Sequence, residues 1–321
     1  MANRANGKSI IVTGAFGRLG QMVLAELKQR GYRMVAMDLD NPVNRKAATR
    51  LAASYDEVIW ADLRKVDFKP LLPGVTAVVH LGALLPPLTE TAPELARAVN
   101  VEATFRLVDA IEACAEKPLL VYPSSVTVFG CPEPMTRLMR VDDPVSPSDN
   151  YTRHKVEIEQ RLAASTIPWC VLRVGVSVDS RTLAADLVTL RQLFNVLPDN
   201  PLEYVHPCDV ATAVANSIDN PHAVGRIFLL GGGHDCRVTQ HAFLSTAFMA
   251  MGVNLPRDMF GQARFYASWM DTAESQEILR FQNHRFADYQ AEMRGRLGGL
   301  RWLMKPLSPV VLWAMRKILK G

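Results

Sequence analysis

The sequence predicts an α/β fold, a doubly wound parallel sheet with a smaller, mostly C-terminal substrate lobe. Three observations lead there. Short apolar runs alternate with helical patterns through the first two-thirds of the 321 residues. The runs are almost continuously apolar, as strands covered on both faces must be. One of them enters a helix through a glycine-rich turn, Thr13-Gly14-Ala15-Phe16-Gly17-Arg18-Leu19-Gly20. Hydrophobic residues at 49% and charged residues at 21% are ordinary globular values and exclude a disordered or fibrous chain.

In order along the chain, Ser9–Val12, Arg33–Met37, Glu57–Ala61, Ala77–Leu81, Leu119–Tyr122 and Cys170–Val174 read as strands. Helical candidates lie between them. Leu19–Arg30 is one, and Pro93–Glu116 is another because Leu107, Val108, Ile111 and Cys114 recur at helical spacing. Such alternation implies right-handed crossovers. A late strand, Arg226–Leu230, ends in Gly231-Gly232-Gly233, and the alternation then stops. The expected division is a dinucleotide-binding domain over 1–178 whose sheet is completed by about 204–232. A substrate lobe is expected from 179–203 and 233–290, and a tail over 291–321.

The turn over Thr13–Gly20 has a mechanical reading. Gly14 permits the tight turn, Gly17 lets backbone amides approach a pyrophosphate, and Gly20 lets helix and strand pack closely. The N-terminus of the helix that follows, beside Arg18 and Leu19, offers unpaired N–H groups and a partial positive charge. A Rossmann-type NAD site is the reading, with Phe16 in the turn. Eighteen residues beyond Gly20, Asp38 is placed to accept hydrogen bonds from the adenosine ribose and to repel a 2′-phosphate, which favours NAD over NADP. Arg18 and Arg33 as phosphate partners keep NADP open. Asp62, with Leu63 beside it, is placed for the adenine end.

The TGxxGxxG spacing resembles the extended short-chain dehydrogenase/reductase family, also called the NAD-dependent epimerase/dehydratase family, and the likeness continues in order over about residues 8–230. His80-Leu81-Gly82-Ala83 resembles its fourth-strand motif, with Gly82 where alanine is usual. Asn100-Val101-Glu102-Ala103-Thr104 is similar to its NVxGT segment, with Ala103 for glycine. Ser124-Ser125-Val126-Thr127-Val128-Phe129-Gly130 is similar to SSxxVYG, with Phe129 for tyrosine. Tyr151-Thr152-Arg153-His154-Lys155 matches YxxxK, and Val205–Val210 is similar to VHVDDV. The resemblance implies that Leu81, Gly82, Ala83, Asn100, Tyr151 and Lys155 contact NAD.

YxxxK has a reason of its own: residues four apart share a helical face, which Ile158 and Leu162 continue. A free tyrosine has a pKa of about 10. A neighbouring ammonium and a positive nicotinamide favour phenolate, so Tyr151 can exchange a proton with a substrate alcohol or ketone. Lys155 supports it and holds the nicotinamide ribose. The resemblance makes Ser125 the donor to the reacting oxygen, with Thr127 on the same side of an extended segment and Ser124 its rival. Family dehydratases carry an Asp–Glu pair, and related decarboxylases a Glu, where this chain has Val126 and Thr127. Oxidoreduction of a secondary alcohol or ketone is therefore expected. Nucleotide-sugar 4-epimerisation on tightly bound NAD is the alternative, and a noncatalytic NAD-binding protein the third reading.

The segment after the sixth strand, Leu172–Ser180, lacks the Asn and Tyr-Gly-Pro usual in nucleotide-sugar enzymes of the family. Arg191, Arg237 and Arg264 are the remaining candidates for phosphates. Leu84, Leu85, Pro86, Pro87, Met135, Leu193 and Phe194 make an apolar set suited to a lipophilic substrate. His206, Cys208, His234 and Cys236 lack zinc spacing, so no metal is expected.

The net charge of +4 is uneven: residues 292–321 hold seven basic side chains against Glu292, a net of +6, which leaves −2 for the rest. A nucleic-acid surface is not indicated. Five scattered cysteines and no signal segment point to a reducing cytoplasm, and a homodimer is expected. In the tail, Trp302 and Trp313 interleave with Lys, Arg and Leu, and Pro306 and Pro309 are expected to break it into two helices. Peripheral attachment to a membrane interface and packing on the body both stay open.

Overall fold

The computed structural model describes residues 7–180 and 187–320, so residues 181–186 of the expected substrate lobe lie outside it. Strands β1 (Ser9–Thr13), β2 (Arg33–Asp38), β3 (Glu57–Trp60), β4 (Val75–His80), β5 (Leu119–Ser125), β6 (Trp169–Val174), β7 (Pro201–Glu203), β8 (Arg226–Leu230) and β9 (Arg237–Thr239) follow in chain order. Seven of them form a parallel sheet in the order β3-β2-β1-β4-β5-β6-β8, while β7 and β9 pair as a small antiparallel ribbon. Every strand expected from the sequence is present, and β5 runs on to Ser125, farther than its apolar run alone suggests.

The strand period of two divides the core into two layers. Ile10, Val12, Met34, Val79 and Val121 pack on the helices Arg18–Gln29 and Pro207–Ile218. Ile11, Val35, Val78, Leu120 and Val171 pack on Ala103–Glu112 and Asn150–Ala163. This is a Rossmann-type α/β fold. Thr13 lies opposite His80 and Ser125 opposite Val174, so the C-terminal ends of the strands are level. The order reverses between β1 and β4, and a crevice opens at those strand ends.

Two helical expectations change. The helix foreseen over Pro93–Glu116 comes as Pro93–Arg97, a π turn over Ala98–Glu102 and Ala103–Glu112. Its wider turn contains Asn100, which reaches out to bond the chain at Leu84. The tail is not broken at its prolines: one helix spans Arg301–Lys320 through both Pro306 and Pro309. Each proline removes one intrahelical donor, but the chain direction holds because the helix is anchored on the body. Val311, Leu312, Met315 and Leu319 pack on Phe194, Leu255, Met259 and Phe260. The break falls instead at Gly298–Leu300, after the Phe286–Leu297 helix.

Candidate active site

The crevice is a cleft of about 860 Å³, walled by the ends of β1, β2, β4, β5 and β6. Gly14 has φ +62°, and a Cβ there would lie 2.8 Å from the backbone nitrogen of Gly82. That close approach joins the β1 turn to the chain leaving β4. At Gly20 a Cβ would strike the carbonyl oxygens of Gly14 and Ala15. The Arg18–Gln29 helix begins without a side-chain cap, and Gln21 is the first residue of its opening turn to bond back, to Gly17. The amides of Arg18, Leu19 and Gly20 therefore face the cleft as donors, the arrangement a pyrophosphate needs.

Asp38 lines the cleft and is held by three donors: the Phe16 amide at 2.8 Å, the Leu39 amide at 2.8 Å and Asn44 Nδ2 at 3.0 Å. Burial raises its pKa, against those hydrogen bonds. Asp62 and Leu63 also line the cleft, and Asp62 is braced by Arg64 at 2.5 Å. Two candidates stand elsewhere. The Phe16 ring is buried against Tyr55 and Trp60, so this residue serves the site only through its amide. Arg33 sits at the opposite end of β2, paired with Glu57, and is no phosphate partner. Arg18 does line the cleft and makes no ion pair among the described residues.

A directional hydrogen-bond chain fixes the middle of the cleft. Thr104 Oγ1 donates to the Asn100 carbonyl, so it accepts from His80 Nε2, 3.0 Å away. His80 Nδ1 then accepts from Thr13 Oγ1 at 2.8 Å, and Thr13 in turn accepts from the Gly82 amide at 3.1 Å. Burial drives the His80 pKa down to about 3, so the ring stays neutral in this one tautomer. Asn100 lies outside the cleft: its amide brackets both backbone groups of Leu84, at 2.7 and 2.9 Å. It thereby fixes Leu84, which is part of the wall. Leu81, Gly82 and Ala83 are in the wall itself.

Ser125, Tyr151 and Lys155 meet at the inner end. The Asp149 cap starts the Asn150–Ala163 helix, whose face points Tyr151 and Lys155 at the end of β5. Ser125 and Tyr151 line the cleft together, and Ser125 Oγ is 2.8 Å from Thr127 Oγ1. Val126–Phe129 is a 3-10 turn capped by Ser125, not the extended segment expected, so Thr127 is in contact with Ser125 but off the cleft wall. Ser124 also lines the cleft, but its hydroxyl is committed to buried Glu159, to which it donates at 2.5 Å. Lys155 Nζ donates to the Pro123 carbonyl at 2.7 Å and lies 4.5 Å from the Tyr122 ring centre. Burial lowers its pKa to about 8, with Glu159 opposing. Burial pushes the Tyr151 phenol up to about 12, with the nearby Ser125 hydroxyl opposing. Lys155 Nζ stands 5.6 Å from the Tyr151 ring centre and is turned to the Pro123 carbonyl.

A sequence profile of the NAD-dependent epimerase/dehydratase family matches residues 10–176, just over half of the chain. The chain belongs to this family. It is thus an NAD-dependent enzyme of this class. UDP-glucose 4-epimerase of Vibrio cholerae is 25% identical over 257 residues, 73% of each chain. UDP-glucose 4-epimerase of Bacillus subtilis is 32% identical over 161 residues, 48% of this chain and 47% of that one. Methionine adenosyltransferase 2 subunit beta of Bos taurus is 29% identical over 175 residues, 53% and 47%. The chain spans about half the length of these last two. UDP-glucuronic acid 4-epimerase from Bacillus cereus, solved with UDP-glucuronic acid and NAD, shares the fold with a TM-score of 0.75. It is 17% identical, over 91% of this chain and 99% of that one.

Departures from the family pattern have local causes. At Gly82, where the family has alanine, a Cβ would lie 2.6 Å from Leu63 Cδ1, so Leu63 already fills that space. Phe129, in place of tyrosine, carries the Arg173 guanidinium 4.7 Å over its ring. That arginine and Glu159 form a buried pair at 2.7 Å behind Lys155. Sequence reasoning missed Glu159, although it lies one turn beyond Lys155 on the same face. It also missed Asn44, whose distance from Asp38 carries no signal. On the substrate side the three arginines considered for phosphates are engaged elsewhere. Arg191 donates to the Ile318 carbonyl, Arg237 to Glu203 and the Met270 carbonyl, and Arg264 to Glu133 and the Pro132 carbonyl. None lines the cleft, nor do Pro86, Pro87, Met135, Leu193 or Phe194, whereas Leu84, Leu85, Leu95, Val99 and Val178 do. His206 pairs with Glu292 and stacks on His284. No group of three metal-ligating side chains occurs among the described residues.

Proposed function

We propose that the chain is an NAD-dependent oxidoreductase that interconverts a secondary alcohol and a ketone. The observation that carries this is the meeting of Ser125, Tyr151 and buried Lys155 in one cleft with apolar walls. NAD fits the cleft: the uncapped amides of Arg18–Gly20 suit its pyrophosphate, Asp38 its adenosine ribose, and Asp62 and Leu63 its adenine. When bound, it supplies the hydride acceptor or donor. Ser125 holds the substrate oxygen by a hydrogen bond. Tyr151 takes the hydroxyl proton during oxidation and returns it during reduction. Lys155 orients the nicotinamide ribose and, as a cation, favours the phenolate. Residues 1–178 with about 204–232 form the cofactor domain of this reading, and 179–203 with 233–290 the substrate lobe. We include a homodimer and a cytoplasmic location in it.

The kinship with UDP-glucose 4-epimerases favours a second reading, epimerisation of a nucleotide sugar on retained NAD. Both need the same three side chains, so the cofactor separates them. A dehydrogenase consumes added NAD and yields the reduced form; an epimerase does neither. Tyr151→Phe tests the shared core. Turnover should fall by about 10²-fold or more while NAD affinity stays within about threefold. Near-normal turnover in that variant would remove Tyr151 from the chemistry.

A further inference from the structure

One apolar surface lies apart from the cleft, on the Arg301–Lys320 helix. At 3.6 residues per turn the side that packs on the body is the one carrying Val311, Leu312, Met315 and Leu319. The opposite side should then be polar. Instead Trp302, Leu303, Val310 and Trp313 stand out to solvent, at 83%, 59%, 61% and 58% exposure. Scattered exposed apolar residues are normal, but a contiguous set on one helix face marks an interaction surface.

We infer that this outward face docks on an anionic lipid bilayer, with the helix lying in the interface. Charge identifies the occupant. The helix contains five basic residues and no acidic one. Arg316 is paired with Asp258, but Arg301, Lys305 and Lys317 make no ion pair among the described residues. Lys317 Nζ lies 4.2 Å over the Trp313 ring, so a cation and an indole share the outward face. Tryptophan beside lysine or arginine suits the headgroup layer, where an apolar body meets a charged surface. A second copy of the chain would bring the same cations against themselves with no carboxylate on the helix to receive them. No helix of the described residues is long and apolar enough to cross a membrane, so the contact is peripheral.

The inference is independent of the reaction catalysed. The full chain is sedimented with phosphatidylcholine vesicles, alone or with about 30% phosphatidylserine, at about 0.05 M and about 0.5 M salt. It should pellet with the anionic vesicles at low salt and lose about tenfold or more of that affinity at high salt. The triple variant Trp302→Ser, Val310→Ser, Trp313→Ser should remain in the supernatant yet keep its melting temperature and NAD affinity. The double variant Lys305→Gln, Lys317→Gln leaves every apolar contact in place and should weaken anionic binding severalfold. A full chain that stays in the supernatant at low salt overturns the proposal. So does a triple variant that pellets like the parent, or one whose only change is from dimer to monomer in sedimentation velocity.

Discussion

Replacing Lys155 with methionine should flatten the alkaline pH dependence of the fold's stability. The Lys155 ammonium is buried, and its pKa falls from 10.5 to about 8. For a base, a folded-state pKa below the unfolded one means a penalty, because the unfolded chain holds the proton more tightly. The penalty is complete below about pH 8, where both states are protonated, and it is relieved as pH rises from about 8 towards 10.5. A shift of this size corresponds to about 3 kcal/mol, most of it recovered by pH 10. Methionine has similar reach and no charge, so its stability lacks this contribution at every pH. The difference between variant and parent should therefore move in the parent's favour by about 2 to 3 kcal/mol between pH 7 and pH 10. For a chain of 321 residues the unfolding entropy is about 0.7 kcal/mol per kelvin, which makes the change about 4 °C in relative melting temperature. Thermal unfolding of both proteins at pH 7, 8, 9 and 10 reads it directly. Other titrating groups act on both proteins and cancel in the difference. A gap that is constant across this range would show that Lys155 is not held in a desolvated, acidified state, and the electrostatic description of the site would fall with it.

The two adjacent serines should separate by assay. Ser125→Ala should lower turnover by about 10²-fold with little change in melting temperature. Ser124→Ala should leave turnover nearly intact and cost about 1–2 kcal/mol, because Glu159 loses a buried donor; the reverse pattern in kcat and Tm would exchange their roles. Asp38→Ala should narrow the preference for NAD over NADP, and a parent enzyme that already prefers NADP contradicts the ribose assignment. Gly20→Ala should weaken NAD binding by about tenfold or more, since the new methyl meets the carbonyls of Gly14 and Ala15. An unchanged Kd by titration calorimetry would mean that the turn does not receive the phosphates.

What was legible in the sequence follows from how local the cause is. Each parallel strand is buried on both faces, so its apolar run is visible without knowing its neighbours. The Gly14–Gly20 turn and the Tyr151–Lys155 spacing are likewise set within a single strand, turn or helix. What escaped the sequence is set between elements. The bond between Asn100 and the Leu84 backbone depends on a π turn that the apolar spacing does not announce. Phe16 sat in the right motif, but its ring had a better place between Tyr55 and Trp60. Thr127 was assigned by strand alternation in a segment that turns out to be a 3-10 turn. The tail was read as two helices because local rules stop a helix at proline. Packing of Met315 and its neighbours on the body overrides that preference.

The charges of the cleft bear on the substrate more than its shape does. Among the described residues its basic lining consists of Arg18, Arg64 and Lys155. Arg18 is at the phosphate turn, Arg64 is bound to Asp62, and Lys155 is bound to the Pro123 carbonyl beneath Tyr151. Leu84, Leu85, Leu95, Val99 and Val178 line the same cleft. Among the described residues, a nucleoside diphosphate carried into that space would meet no side-chain cation beyond Arg18, Arg64 and Lys155, and unpaired burial of a charge is strongly unfavourable. An uncharged alcohol or ketone has no such penalty, and its carbon skeleton gains by leaving water for leucine and valine. Ser125 and Tyr151 then supply the two polar contacts a single reacting oxygen requires. Among the described residues this balance favours the proposed alcohol–ketone reading, while the kinship with UDP-glucose 4-epimerases favours the nucleotide-sugar one.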